Sequence, residues 1–412
     1  MAATLRMNVF LAAKGKICPS YVTVQLCQNS QTARIIRDPN ETSFSKGLGA
    51  RNSFNGLVCT VFGAAGTIGK PFVQLLARTG TQIIVATSSD YYKTRQLKVC
   101  GDLGQILFTH YHMTDEEAIR KAVKYSDVVV NLANRFVESY RFRHHRIHID
   151  LPRTIARICK ESNVKHFIHF SAIGARPDPE PILLPEGSEF LRTKYYGELA
   201  VREEFPDATI VRPSCVIAPK CLLLRHHLDN RRLSTRRKLI LPMINYGLDA
   251  EKEPVLVTDV AEGLKRLVFD YNSAGKTYQF VGPERYTLNG FLGWIHEFMY
   301  YKQKNIDEYF KYPTWHYGNA FWRFFKPKHN PDHLDKSLIE FFHNPDIIYK
   351  ELPTLEDLGI VPTNIRHTVW FIVKDMLTDT WNYYARPDEE LFPLRGIGKR
   401  YHSLSESKAI HA

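Results

Sequence analysis

Val61-Phe62-Gly63-Ala64-Ala65-Gly66-Thr67-Ile68-Gly69 sets how the rest of this chain is read. Three glycines stand three residues apart. Ahead of them, residues 57–62 form an apolar run that reads as a buried strand. Behind them, residues 71–78 carry apolar side chains at helical spacing, with Pro71 where a first helical turn tolerates a proline. A strand, a glycine turn and a helix in that order aim free backbone N–H groups at an anion, and the helix dipole favours a pyrophosphate there. Gly63, Ala65, Gly66, Thr67, Ile68 and Gly69 are therefore the candidates for cradling the phosphates of a dinucleotide. Tight turns and close helix–strand packing also call for glycine, so the flanking strand and helix carry the reading rather than the triplet alone.

The next strand, residues 83–88, bears on which dinucleotide. An NAD site usually has an acid at the end of this strand, on the adenosine ribose hydroxyls. Here the residues are Thr87, Ser88 and Ser89, and Asp90 comes late enough to read as a helix cap or a turn residue. Small hydroxyl side chains leave room for a 2′-phosphate and can donate to it. Lys93 and Arg95 follow closely and could neutralise it, or be solvated surface charges. The pattern favours NADP over NAD, with Thr87 and Ser88 as the ribose-side candidates.

The chain has 412 residues, 44% of them hydrophobic and 24% charged, enough for one large or two modest globular domains. No apolar run reaches the length of a membrane-spanning helix. The seven cysteines show no C-x-x-C pair and no metal-ligand spacing, a pattern that suits reduced thiols and not a secreted disulfide scaffold. The first acid is Asp38, and before it stand Arg6, Lys14, Lys16, Arg34 and Arg37, five of the twelve net positive charges. A basic, acid-free start of this kind reads as a mitochondrial transit peptide, and residues 1–50 are set apart from the fold as a targeting or disordered segment.

From about Gly56 to Pro283 strands and helices alternate. Residues 57–62, 82–87, 105–108, 128–132, 166–170, 209–212 and 278–281 read as strands. Helical patterns fall near 68–78, 115–124, 146–160, 192–204 and 260–269. Alternation at this spacing predicts an α/β fold, a Rossmann-like, doubly wound parallel sheet, over residues 51–285. Residues 286–412 change character. Aromatic side chains crowd 291–325, regular alternation stops, and the tail from Tyr383 is polar and reads as extended. This stretch is expected to be a smaller, mostly helical or irregular C-terminal interaction region, its rings either an interface or an internal core.

The order of motifs resembles the short-chain dehydrogenase/reductase superfamily, in its extended and atypical branches. The glycine turn is followed by Asn131-Leu132-Ala133-Asn134, His169-Phe170-Ser171-Ala172, Phe190-Leu191-Arg192-Thr193-Lys194, Val211-Arg212-Pro213-Ser214-Cys215-Val216 and Val257-Thr258-Asp259-Val260-Ala261. Six motifs in order are far more specific than one triplet. Residues 101–108, residues 153–159 and the aromatic-rich C-terminal region further resemble the nucleotide-binding accessory subunit family of mitochondrial respiratory complex I. That resemblance implies bound NADPH, other subunits of complex I as partners, a structural or assembly role, and a peripheral place on the matrix side of the inner membrane, near the junction of the two arms. It also implies that Leu132 and Ala133 bring backbone near the nucleotide and that Pro213 and Val216 border the nicotinamide.

Reductase chemistry in that superfamily uses a tyrosine four residues before a lysine, on one helix face, with a serine to position the substrate. Ser171 and Lys194 match, but the tyrosine position holds Phe190, which has no proton to transfer. Tyr195 and Tyr196 lie just past the lysine, off the required face. Lys194 could hold the nicotinamide ribose or be a surface charge paired with Glu198 four residues on. Ser171 could serve the site or cap a turn. No activity of its own is expected for this chain. The alternative is a soluble mitochondrial NADP-dependent reductase or epimerase with displaced acid chemistry.

Arg225, Arg231, Arg232, Arg236, Arg237 and Lys238 form a basic run, with His226 and His227 nearby. Arg231, Arg232, Arg236 and Arg237 are candidates for anionic lipid headgroups, against a solvated helix face. No aromatic residue is interleaved to stack bases, so no nucleic acid is expected. Arg141, Arg143, His144, His145 and His148 lack supporting metal ligands and read as surface or helix-face residues.

Overall fold

The computed structural model describes residues 54–88, 91–136, 138, 143–219, 221–227, 244–299, 336–368 and 372. The targeting segment, Asp90, Arg141, Arg231, Arg232, Arg236, Arg237 and most of the aromatic run lie outside the described residues.

The strands are β1 (Val58–Phe62), β2 (Gln82–Thr87), β3 (Ile106–His110), β4 (Val128–Asn131), β5 (His166–Phe170), β6 (Thr209–Pro213), β7 (Val216–Ile217), β8 (Glu251–Lys252), β9 (Val255–Leu256), β10 (Thr277–Phe280) and β11 (Tyr286–Thr287). Seven of them form one sheet in the order β10-β6-β5-β4-β1-β2-β3, and every pairing in it is parallel. β1 lies between β2 and β4, with Val61 opposite Val85 on one side and Val130 on the other. Strand order runs outward one way through β2 and β3 and the other way through β4, β5, β6 and β10. In open sheets of this order ligands bind in the crevice beyond the carboxyl ends of the strands where the direction reverses, here β1 and β4.

The α-helices longer than one turn are α1 (Gly69–Arg78), α2 (Glu116–Val123), α3 (Leu151–Glu161), α4 (Glu189–Glu204), α5 (Leu222–His227), α6 (Val257–Phe269), α7 (Leu288–Met299) and α8 (Lys336–His343). Both sheet faces are covered, as near-continuous apolar strands require. On one face Cys59, Val61, Val85 and Val130 meet Phe72, Val73 and Leu76 of α1 and Val260, Leu264 and Leu267 of α6. On the other, Phe62, Val129 and Phe167 meet Ile119 and Val123 of α2, Ile155 and Cys159 of α3, and Val201 of α4. Asp115 caps α2 by accepting the Ala118 N–H at 3.1 Å, and Glu116 and Glu117 follow it in the first turn.

Two helix starts differ from the sequence pattern. Helix α4 begins at Glu189, earlier than the periodicity indicates, with Ser188 as its N-cap. The helix expected from Arg146 opens instead as a wide π turn, Arg146–Asp150, before α3 proper. Pro152 offers no N–H to the His148 carbonyl four residues back. That carbonyl lies so close to α4 that a Cβ on Gly197 would stand 2.0 Å from it. The wide turn and Gly197 together let α3 and α4 approach.

A second core joins Ile217, Leu223, Leu224 and Leu256 to Leu288, Phe291, Leu292, Ile295, Leu338, Phe342 and Ile365. It draws residues from both sides of position 285. At the outer edge of β10, Gln279 N–H donates to the Pro353 carbonyl at 2.8 Å, so the chain itself covers that sheet edge. No helix among the described residues is long and apolar enough to cross a membrane.

Candidate functional site

The three glycines do different work. Gly63 has φ +77°, and a Cβ there would meet the Leu132 carbonyl carbon at 2.7 Å and the Ala133 nitrogen at 2.8 Å. It lets the turn after β1 pass against the end of β4, which brings Leu132 and Ala133 to the crevice. Gly69 starts α1 so close to the turn that a Cβ would lie 2.5 Å from the Ala64 Cα. Gly66 is different. It is exposed, has no left-handed φ, and a Cβ would meet only the Gly63 oxygen, at 3.2 Å. Packing within the chain accounts for Gly63 and Gly69. At Gly66 the approach to a backbone oxygen is tight but milder than at the other two, and the middle glycine of a dinucleotide turn is the one that lets a pyrophosphate approach the backbone. Ile68 precedes α1 without a side-chain cap, and no acid stands in the helix's first turn. The Lys70 N–H donates to the Gly66 carbonyl at 3.3 Å and the Gly66 N–H to the Gly63 carbonyl at 3.1 Å, and Pro71 has no N–H, so an anion here would meet the remaining N–H groups of the turn and the helix dipole. Ala65 and Ile68 are half-buried here and Thr67 is exposed.

At the end of β2, Thr87 is buried and Ser88 exposed. The Tyr111 hydroxyl hydrogen-bonds Ser88, and burial pushes that phenol up to about 12. No acid occupies this strand end among the described residues. Lys93 and Arg95 are exposed on the short turns that follow.

The other arm of the crevice is a buried polar chamber. Asn131 at the end of β4 donates to His169 Nδ1 at 3.3 Å and accepts the Ala133 N–H at 3.1 Å. With Nδ1 accepting, the His169 hydrogen sits on Nε2, which is buried and has no partner among the described residues. Ser171 is 3% exposed and its Oγ has no partner among the described residues either. The turn-capping alternative for Ser171 is thereby corrected. Lys194 is 1% exposed and donates to the Phe170 carbonyl at 3.1 Å. Burial lowers its pKa to about 7, against the pull of Glu198. The surface-pair alternative for Lys194 also fails, because Glu198 is engaged elsewhere. Its carboxylate takes Arg212 Nε at 2.9 Å and Nη2 at 2.6 Å, tying α4 to β6. Pro213 is buried at the end of β6, and Val216 is half-buried just beyond it.

His144 and His148 are not surface residues. They are 1% and 0% exposed, with rings stacked 5.1 Å apart, while His145 alone is exposed. His148 bonds Thr193 Oγ1 through Nδ1 and Asn134 Oδ1 through Nε2, both at 3.0 Å. The π turn carries these side chains inward to α4. Burial, then the charge of Lys194, holds His148 well below the usual histidine range. Burial likewise lowers His169 to about 3. Sequence spacing gave no sign of this chamber except the adjacency of Asn131 and His169 to strand ends.

Phe190 stands at the centre of an aromatic cage. Its ring stacks on Phe136 at 5.0 Å and takes Phe341 at 4.8 Å and His148 at 5.1 Å edge-on. The position that would carry a phenolic acid is thus 2% exposed and enclosed by rings. Proton transfer there has no donor, whereas unpaired buried hydrogen-bonding groups remain at Ser171 and His169 and spare donors at Lys194. Such atoms are costly unless a polar ligand meets them.

A parallel sheet of this order, with a glycine turn at its reversal point, defines a dinucleotide-binding protein of the Rossmann type. The chain belongs to the NAD dependent epimerase/dehydratase family, whose sequence profile matches residues 59–280. Within it, the chain is 33% identical to the Rattus norvegicus protein named NADH dehydrogenase (ubiquinone) 1 alpha subcomplex subunit 9, mitochondrial, over 88% of this chain and 91% of the relative. It is 30% identical to the NADH-ubiquinone oxidoreductase 40 kDa subunit, mitochondrial, of Neurospora crassa, over 82% of this chain and 84% of that one. The fold is also similar to a crystal structure of UDP-glucose 4-epimerase with UDP-glucose from Thermotoga maritima. That likeness has a TM-score of 0.54 and 17% identity, covers 78% of this chain and 99% of the other, and bears on the fold alone.

Proposed function

We propose that this chain is an accessory subunit of mitochondrial complex I that holds NADPH as a structural ligand. Its partners are the other subunits of that assembly. It supports the peripheral arm near the membrane from the matrix side of the inner membrane, and performs no hydride transfer of its own. Gly63, Ala65, Gly66, Thr67, Ile68 and Gly69 would take the pyrophosphate. Thr87 and Ser88 would face the adenosine ribose, where the lack of an acid favours a 2′-phosphate. Leu132, Ala133, Ser171, Lys194, Pro213 and Val216 would surround the nicotinamide ribose and ring. The nucleotide supplies a reduced nicotinamide and a pyrophosphate. The chain's own groups orient them, and a ligand bound only to the folded state stabilises it by mass action.

The observation that carries this reading is the cage around Phe190 beside Ser171 and Lys194. Ligand-holding groups are kept and the proton donor is replaced by a packed ring. The relatives named for NADH dehydrogenase support the assembly part. The test is native size in a mild-detergent mitochondrial extract, with nucleotide content measured on the same fraction. Migration with a very large respiratory assembly, no free pool and stoichiometric NADPH is expected. A free monomer or small oligomer would reject the accessory-subunit reading and revive a soluble reductase or epimerase.

A further inference from the structure

The C-terminal part of the chain returns across the carboxyl ends of β5 and β6, the edge where open α/β sheets take their ligands. Phe341 of α8 packs on Phe190 at 4.8 Å and on Phe136 at 5.4 Å. Phe341, Asn344 and Asp346 line one small cavity with Ala172, just after Ser171, and with Pro213 and Ser214 at the end of β6. The residues assigned to the nicotinamide end thus lie directly beside this segment.

The segment is fastened by buried polar bonds along its length. The Glu340 carboxylate, 0% exposed, accepts the backbone N–H groups of Ile182, Leu183 and Leu184 at 2.7, 2.6 and 3.2 Å. His343 Nε2 accepts the Ile244 N–H at 3.0 Å. Asn344 donates to the Glu180 carbonyl at 3.3 Å. Asp346, 2% exposed, takes Lys252 Nζ at 2.9 Å, the Glu253 N–H at 3.2 Å and the Ser214 hydroxyl. A buried carboxylate stripped of its donors is costly, so the segment cannot fray from one end cheaply. It lifts only by breaking several such sets together.

We propose that residues 336–346 form an internal clasp: they occupy the half of the cleft where a second substrate would enter, and bound dinucleotide leaves only when they lift. The clasp rests on the nucleotide reading above. It excludes a second substrate by filling its place and makes the nucleotide a long-lived part of the chain.

The test uses the full chain loaded with NADPH, its release followed by the fluorescence of the reduced nicotinamide. In the wild-type chain, release should be no faster than the opening of the Glu340 contact. That opening is read by hydrogen exchange at the Ile182, Leu183 and Leu184 amides where exchange is limited by opening. Phe341→Ala, and the milder Asp346→Asn, should each speed release at least tenfold. Release from the wild-type chain faster than those amides open would sink the clasp alone, even if neither variant folds. So would release within twofold of wild type from a folded variant. A wild-type chain that takes up no NADPH would overturn the nucleotide reading and the clasp together.

Discussion

Gly63 and Gly66 belong to one motif yet answer to different forces, and substitution separates them. At Gly63 any side chain meets strained φ and backbone at 2.7 Å. Gly63→Ala should therefore lower the stability of the nucleotide-free chain by about 1–3 kcal/mol or more. At Gly66 φ is unstrained and a Cβ would meet only the Gly63 oxygen, at 3.2 Å, so Gly66→Asp should cost the nucleotide-free chain less stability than Gly63→Ala does, while its carboxylate repels the pyrophosphate. Urea midpoints and nucleotide content of the purified variants check both; NADPH retained by Gly66→Asp would remove the phosphate assignment. The buried histidines make a pH prediction. His169 resists protonation down to about 3 in the fold, whereas the unfolded chain takes that proton near 6.5. The unfolded state then binds more protons between those values, so stability is full above about 6.5 and falls as pH drops through that window. Each such histidine contributes ~1.4 kcal/mol per pH unit to the fall. His148 shifts in the same direction. Urea midpoints at pH 7 and pH 5 should differ clearly, and His169→Gln should shrink the difference.

Among the elements, α4 concentrates the meaning of the site. Its inner face carries Phe190, Lys194, Gly197 and Glu198, all buried. Gly197 allows the π turn to press against it, and Glu198 binds Arg212 instead of Lys194, whose ammonium donates to the Phe170 carbonyl with protons to spare. Restoring the superfamily's tyrosine is not expected to restore chemistry here. Phe190→Tyr places a hydroxyl among Phe136, Phe341 and His148, where burial without a good partner costs about 1–3 kcal/mol. The expected outcome is a lower melting temperature and no oxidation or reduction across a broad substrate panel. Turnover by that single variant would mean that the cage opens readily and that the non-catalytic reading is wrong.

For the whole molecule, the proposed nucleotide would be coupled to the fold. Ile68 and Val216, both assigned to the nucleotide, pack against the main-sheet core and against the core that includes α7 and α8, so a ligand held there would tie the two together. Removing NADPH should therefore destabilise the entire chain and not a local loop, by ~4 kcal/mol when free ligand stands at a thousand times its dissociation constant. Calorimetry of the stripped and reloaded chain checks this. A melting temperature indifferent to NADPH would leave the ligand without a structural role.

The sequence by itself determined the sheet and the place of the glycine turn within it. Strand and helix periodicities are local, so residues 57–62, 82–87 and 166–170 were legible as strands, and the glycine turn named its own place between β1 and α1. The resemblance placed Ser171 and Lys194 by motif order. Only the tertiary structure decided what surrounds them. His144 and His148 looked like polar helix-face residues, because nothing local reveals that Pro152 opens a π turn and that Gly197 receives it. The Lys194–Glu198 spacing suggested a surface pair, because an i,i+4 interval says nothing of which face points inward or that Arg212 waits on β6. Phe136 and Phe341 were ordinary aromatics in sequence. They become a cage around Phe190 because chain folding brings distant segments to one strand edge, and contacts of that range leave no periodic trace.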